Sequence, residues 1–335
     1  MGYGGDLIWT GVFKALHEQD GAPAYIVHKP KFTDLLAGRL FDASAHPAEA
    51  PVFYNNPRIR SKAASPRPGL LKIMDLAFSA CLKPWSLKTA YERAIFRRSQ
   101  DHFRKTGERL VHTDMVIHSY AKKQLKDRFL WKDEAHAIQS IAKSFLDQNV
   151  EPTCELYFDA EEEQHVASLL AEKGLTTPFI ALDSGTNKDW FGALRSWPED
   201  RWRDLAARLR KAFPETPIVQ LGVPETPLLD GVVDLRGQTS FREAALVMRQ
   251  AALFIGTESG PMHAARSVGV PSVIIWGGVT LPEFAGYPDV HEILCSYVDC
   301  APCGRLGACP NDHVCMTSIS VEDVFVAVQK CMETD

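Results

Sequence analysis

Five residues, Gly256-Thr257-Glu258-Ser259-Gly260, stand between the apolar run Leu253–Ile255 and Pro261. The apolar run reads as a buried strand, and Pro261 suits the first position of a helix. A strand end, a small polar turn and a helix start together suit a phosphate. The first N–H groups of the helix lack partners, and its dipole is positive there. The glycines let a ligand approach the backbone closely. Glu258 is expected to face sugar or ribose hydroxyls, because like charges keep it from the phosphates. His263 falls in the first helical turn and offers a ring N–H to a phosphate. The competing reading is an ordinary strand–helix turn capped by Ser259.

Other chemistry-bearing residues lie elsewhere. Asp6 follows Gly4-Gly5 at the mouth of a helix whose stripe is Ile8, Val12, Leu16 and, less cleanly, Phe13. It reads as a helix cap or as a carboxylate held out for proton transfer. Ser184 and Thr186 sit in a polar turn after the buried strand "PFIALDSG" and add hydroxyl donors. Cys295, Cys300, Cys303, Cys309 and Cys315 fall within 21 residues. Cys300-x2-Cys303 is a metal knuckle, and Cys309 and Cys315 complete a four-thiolate set for a structural zinc ion. The second spacing is wider than a zinc ribbon's, and His313 could replace one thiolate. Free thiols, disulfides and an iron–sulfur cluster are the alternatives. No catalytic role is expected, since a closed tetrahedral site has no open position. Cys81, Cys154 and Cys331 are isolated and read as buried apolar residues.

The elements that must position these residues follow from pattern. At 335 residues the chain exceeds one ordinary core, so two domains are expected. No apolar run approaches the ~20 residues that span a bilayer. The N-terminus shows no secretory signal, which makes the cytosol the default compartment. The second half alternates strongly. "EEEQHVASLLAEKG", "PEDRWRDLAARLRKAF", "SFREAALVMRQA" and "GPMHAARSVG" are helices; "PFIALDSG", "PIVQLG", "LFIG" and "PSVIIWG" are strands. Ser240 and Glu243 form a capping box. This order predicts a parallel sheet with helices on both faces. The first half is less regular. "PAYIVHK", "APVFYNN" and "MVIHSY" are strand candidates. "LLKIMDLAFSACL", "TAYERAIFRRSQDHFRK" and "DEAHAIQSIAKSFLDQ" are helical, the last with Ala137, Ile138, Ile141 and Phe145 inward. The boundary between the halves is expected near Val150–Phe158.

Charge is uneven. From Arg58 to Lys132 there are 18 Lys and Arg against 6 Asp and Glu, within a chain of net charge −5. Such a segment suits a polyanionic partner: phospholipid, phosphorylated glycolipid or nucleic acid. A solvated helical surface is the plain alternative. No nucleic-acid-binding motif is present, so that partner is set aside. No G-x-G-x-x-G follows a strand, which argues against a dinucleotide-dependent oxidoreductase.

"GTESGPMHAARSVGVPSVIIWG" resembles the donor-site signature of glycosyltransferase family 9, the ADP-heptose:lipopolysaccharide heptosyltransferases. "GGDLIWTGVFKAL", "YNNPRI", "LDSGTNKDWFGALRSWPEDRW", "LGVPE", "DLRGQTSFREAALVMRQAALFIG" and "CAPCGRLGACPNDHVCMTSISVEDV" are similar to other pieces of that family, in order. The likeness is weak between about Ser61 and Val111. It implies an α/β, GT-B fold: two Rossmann-like domains with parallel sheets facing across a cleft. Residues 1–155 would take the acceptor, with a basic helical insert at about 61–111. Residues 156–320 would take the nucleotide sugar and carry the Cys-rich segment 295–315. Residues 321–335 would cross back to the first domain. The resemblance further implies an inverting sugar transfer without a catalytic metal or other cofactor, from ADP-heptose to a lipid-linked glycan at the inner face of the cytoplasmic membrane. Asp6 matches the base. Arg195, just before Trp197-Pro198, matches a cation for the diphosphate, with Lys188 as its rival. Glu225 matches a ribose-holding acid, and Thr239 a residue beside the nucleobase. Thr257, Glu258, Ser259, Gly260 and His263 complete the donor site. The alternatives are another nucleotide sugar, or a non-catalytic binder of nucleotide or glycan.

The sequence departs from the family at its start. An apolar strand is expected before the glycine–aspartate turn, yet only Met1-Gly2-Tyr3 precede it. A central strand's loss would leave unpaired backbone groups. The natural chain is therefore expected to begin upstream, and a chain without that strand to hold Asp6 poorly.

Overall fold

The computed structural model describes residues 3–36, 38, 50–60, 69–82, 84–115, 118, 121–125, 127–131, 135–175, 178–186 and 191–333. The first half opens on α1 (Tyr3–Asp20), followed by β1 (Ala24–Ile26) and α2 (Phe32–Leu36). Next come β2 (Ile59–Arg60), α3 (Gly69–Cys81), α4 (Trp85–Thr106) and β3 (Arg109–Val111). An antiparallel pair, β4 (Ala121–Gln124) with β5 (Phe129–Trp131), precedes α5 (Ala137–Ala142). The strands form a parallel sheet in the order β2-β1-β3. β1 has partners on both sides, Ile59 and Arg109 both pairing with Ala24, so the described strands close on one another without a gap.

Two strand assignments are corrected. "APVFYNN" holds a 3-10 turn, Pro51–Phe53, because Pro51 fixes its φ and has no N–H to give a ladder. "MVIHSY" lies partly outside the described residues, and neither Met115 nor His118 is in a strand. The strand comes earlier, since Gly107 at φ 74° ends α4 and turns the chain straight into β3. α1 carries more than its expected stripe. Leu7, Ile8, Trp9, Val12, Phe13 and Leu16 are all buried, so it is a core helix.

The second half is a six-stranded parallel sheet, β11-β10-β9-β6-β7-β8. Its elements are α6 (Ala160–Glu172), β6 (Ile180–Leu182), α7 (Glu199–Ala212), β7 (Ile218–Gln220), β8 (Val233–Asp234), α8 (Phe241–Gln250), β9 (Leu253–Thr257), α9 (Gly260–Val268), β10 (Ser272–Trp276), α10 (Pro282–Ala285), β11 (His291–Cys295), α11 (Val314–Thr317) and α12 (Val321–Met332). Alternate residues serve opposite faces. Leu253, Ile255, Val273 and Ile275 pack with Trp202 and Leu209 of α7 and Val324 and Val328 of α12. Phe254, Ile274 and Trp276 share the other core with Leu246 of α8 and Met262 of α9. The capping box forms as expected: Ser240 Oγ accepts from Glu243 N at 3.2 Å, and Ser240 N donates to the Glu243 carboxylate at 2.7 Å.

The last helix makes its main packing contacts within the second half. α12 packs on α7 and on β9, β10 and β11. Its apolar residues Val324, Ala327 and Val328 cover the sheet's second face beside α7.

Candidate functional site

Strands β6 and β9 are neighbours, but the chain leaves β6 toward β7 and β8 and leaves β9 toward β10 and β11. The strand order therefore reverses between them. Loops at the carboxyl ends of such strands diverge and leave a crevice for a ligand. The turn Glu258-Ser259-Gly260 rises from β9, and Asp183–Thr186 from β6.

The cap reading of Ser259 does not hold. Its hydroxyl donates to the Thr257 carbonyl at 2.9 Å, and the start of α9 has no side-chain cap. The first N–H groups of α9 remain available to an anion. Beside them, Arg195 Nη2 lies 2.9 Å from Glu258 Oε1, and Thr280 Oγ1 donates to the same oxygen at 3.0 Å. Three buried polar atoms in this group have no partner: Thr257 Oγ1, Glu258 Oε2 and Arg195 Nε. Thr257 and Glu258 are 1% and 5% exposed. Unpartnered polar atoms this deep are uncommon, and a ligand or a water can supply their missing bonds. Burial pushes the Glu258 carboxyl up, against the opposing pull of Arg195 and Thr280.

α1 meets α9 start to start. A Cβ on Gly4 would stand 3.0 Å from His263 Cδ2 and 3.3 Å from Gly260 Cα. Tyr3 stacks on Phe241 with ring centroids 4.6 Å apart. Gly4, Gly5 and Asp6 lie inside the first turn of α1, not in a turn ahead of it. Asp6 is two residues from the Gly4 contact, about 3 Å of helix rise. It is half-buried, and burial pushes its carboxyl from 3.8 up to about 6. His263 is buried, with Nδ1 2.7 Å from the Tyr287 hydroxyl. Burial pushes its ring down to about 3, so it is a neutral imidazole. Tyr287 also lies 2.9 Å from Cys154 Sγ, which ties the helix of the second half to residue 154.

A crevice at a strand reversal on this framework has known counterparts. The model of glycosyltransferase family 9 (heptosyltransferase) matches residues 94–313. The chain belongs to glycosyltransferase family 9. Its fold is that of the family's GT-B enzymes. The glycosyl transferase family 9 protein from Veillonella parvula matches with a TM-score of 0.61 at 16% identity, over 100% of this chain and 95% of that one. The E. coli ADP-heptose lps heptosyltransferase II matches with 0.56 at 15% identity, over 99% and 96%. No curated protein sequence matches the chain.

The remaining expected residues of this family 9 glycosyltransferase spread along one sheet edge. Ser184 Oγ accepts from Gln220 Nε2 at 3.2 Å, and Thr186 Oγ1 lies 2.5 Å from Ser196 Oγ. Glu225, after β7, is exposed, and Thr239, after β8, is half-buried. Both follow the carboxyl ends of their strands, further from the reversal than Glu258. Lys188 lies outside the described residues. Arg195 reaches the turn, where Nη2 holds Glu258 and Nε is left without a partner among the described residues.

Sequence reasoning passed over Asp183, Thr280 and Tyr287. Asp183 directly follows β6, accepts from Gly185 N at 2.9 Å, and is pushed up to about 7 by burial. A Cβ on Gly222 would stand 2.9 Å from its Oδ1. An acidic residue directly after a buried strand was the available signal. Thr280 and Tyr287 had none, because their partners are distant in the chain. A groove of about 380 Å³ between α6 and α8 lies at the sheet's amino edge and touches none of these residues.

The expected zinc cage does not fit the cysteine loop as it stands. Burial chiefly, with the nearby Cys315, Cys300 and Cys309, pushes the Cys303 thiol up, so the four share a neighbourhood. Yet all are free, and among the described residues no three His, Cys, Asp or Glu converge as ligands of one ion. Backbone bonds fix this loop instead. Cys303 N donates to Gly278 O, and Leu306 N to Asp127 O, both at 2.8 Å. The loop thus straps the end of β10 to the β4–β5 pair.

Proposed function

We propose that this glycosyltransferase moves a heptose from ADP-heptose to a lipopolysaccharide-core-like or other lipid-linked glycan, inverting the anomeric centre in one displacement without a catalytic metal. Asp6 accepts the proton of the acceptor hydroxyl as that oxygen attacks the anomeric carbon. The bond from that carbon to the diphosphate breaks, and ADP leaves. The start of α9 and the Arg195 guanidinium meet the charge that develops on the leaving diphosphate. Thr257 Oγ1 and the free oxygen of Glu258 take hydroxyl or phosphate partners from the donor. His263 offers a neutral N–H. Ser184 and Thr186 lie toward the phosphates, with Glu225 and Thr239 toward the nucleoside. The observation that carries this reading is the trio of unpartnered buried atoms at the strand reversal, beside an uncapped helix start. The family's heptosyltransferase description and the E. coli relative's ADP-heptose favour that donor. The acceptor's lipid places the enzyme at the inner face of the cytoplasmic membrane, with the basic segment 58–132 toward its phosphates.

Thermal-shift measurement against ADP-heptose, ADP, UDP-sugars and GDP-sugars tests the donor. ADP-heptose should raise Tm most; stabilisation by UDP-sugars alone would displace it. Asp6→Asn should keep the ADP-heptose shift and lose transfer.

A further inference from the structure

α3 is built inside out. Asp75 is 5% exposed, while Ile73, Met74 and Leu76 are 68%, 46% and 75% exposed. Thr33 anchors the acid, donating to Asp75 from its backbone N at 3.1 Å and from its hydroxyl at 3.0 Å. Phe78 lies on the same inward side, stacked on Phe32 at 4.5 Å and edge-on to Tyr91 at 5.4 Å. Ile73, Leu76, Ala77 and Ala80 follow helical spacing and form the outward side, which is exposed. A helix facing water normally turns polar residues outward. Leu36 of α2 and Leu87 of α4, the two elements α3 packs on, are exposed as well, at 67% and 53%.

We propose that α3 seats the enzyme on an anionic bilayer, its outward apolar side entering the boundary between headgroups and acyl chains. The inference deepens the proposed function and rests on its lipid-linked acceptor. Charge selects the occupant. α4 carries Lys88, Arg93, Arg97, Arg98, Arg104 and Lys105 against Glu92 and Asp101. Glu92 is buried, and Asp101 is paired with Arg104. Arg93, Arg97 and Arg98 are exposed. A second copy docked on α3 would set two such basic helices near each other, whereas anionic headgroups neutralise them. Among the described residues no helix is long and apolar enough to cross a membrane. α3, about 20 Å long, therefore lies in the membrane plane.

Co-sedimentation of the full chain with phosphatidylglycerol–phosphatidylcholine vesicles tests this, with pure phosphatidylcholine as control. Wild type should bind only the anionic vesicles, and weakly at about 0.5 M salt. Ile73→Gln with Leu76→Gln should weaken binding roughly tenfold or more, and so should Arg93→Gln with Arg97→Gln. All of these side chains face outward, so Tm should not move. Wild-type failure to bind, or binding unchanged in the apolar pair, overturns the seat. So does a wild-type dimer that the apolar pair converts to monomer without any vesicle binding. ADP-heptose thermal shift separates the two readings: vesicle binding without that shift leaves the seat standing and removes the donor.

Discussion

At the scale of the residue, the proposed chemistry turns on one carboxylate. Asp6 titrates near 6 because burial disfavours its charged form. A base must be ionised to accept a proton, so transfer should rise with pH through about 6 and level off above it. The folded state holds this proton more tightly than the unfolded chain does. The stability it contributes is full below about pH 4 and is lost as pH rises through about 6. Asp6→Asn should therefore raise Tm at about pH 7.5 and change it little at about pH 4, while transfer falls by about 10²–10⁴-fold. Calorimetry at both values and a transfer assay check this; wild-type transfer in the variant would remove Asp6 from the mechanism. Glu258 tests the donor side. Glu258→Gln discards the charge that Arg195 holds and should weaken ADP-heptose binding about tenfold or more, measured by titration calorimetry. The type and position of both acids were legible in the sequence. The Arg195 pairing was not, because 63 residues separate it from Glu258.

At the scale of the element, the first helix is where pattern reading fell short. A stripe every three or four residues describes a helix with one wet side, and α1 has almost none between Leu7 and Phe13. Its close neighbours set the tolerance for change. A Cβ at Gly11 would stand 2.0 Å from the Thr153 carbonyl oxygen and 2.9 Å from Ile138 Cδ1. A backbone carbonyl cannot swing aside as a side chain can. Gly11→Ala should cost about 1–3 kcal/mol or more, visible as a lower urea midpoint at unchanged m-value. The second half's helices were readable because their ends are written locally. Asp159 with Glu162, Ser240 with Glu243, and Ser320 with Asp323 each form a capping box three residues apart. The three strands of the first half's parallel sheet are two to three residues long, too short for alternation to show.

At the scale of the whole molecule, the halves are joined by buried polar bonds as well as apolar contact. Arg242 of α8 pairs with both oxygens of Glu162, at 2.6 and 2.7 Å. It also donates to the Pro51 carbonyl at 3.0 Å and to Tyr157 O. The guanidinium holds the Glu162 carboxyl below its ordinary range. That contribution is present above the unfolded carboxyl's value and is lost as pH falls through the lower folded one. Arg242→Ala would remove the guanidinium from Glu162 and from the Pro51 and Tyr157 carbonyls, and should cost about 1–3 kcal/mol. Urea unfolding at neutral pH should show the loss, and the variant's stability should depend less on acid.

The amino-acid sequence alone determined the kind of protein: alternating strands and helices, a helix start suited to phosphate, and the ordered pieces of one transferase family. Those features depend on residues within a few positions of each other, where spacing, caps and φ preferences act directly. Tertiary structure alone decided which strands became neighbours at the reversal, where α12 packs, why Asp75 rather than Leu76 turns inward, and what Arg195 holds. Each of those is a contact between distant segments. It is settled by which chain closures bury the most surface with their polar groups satisfied, and no local pattern encodes that competition.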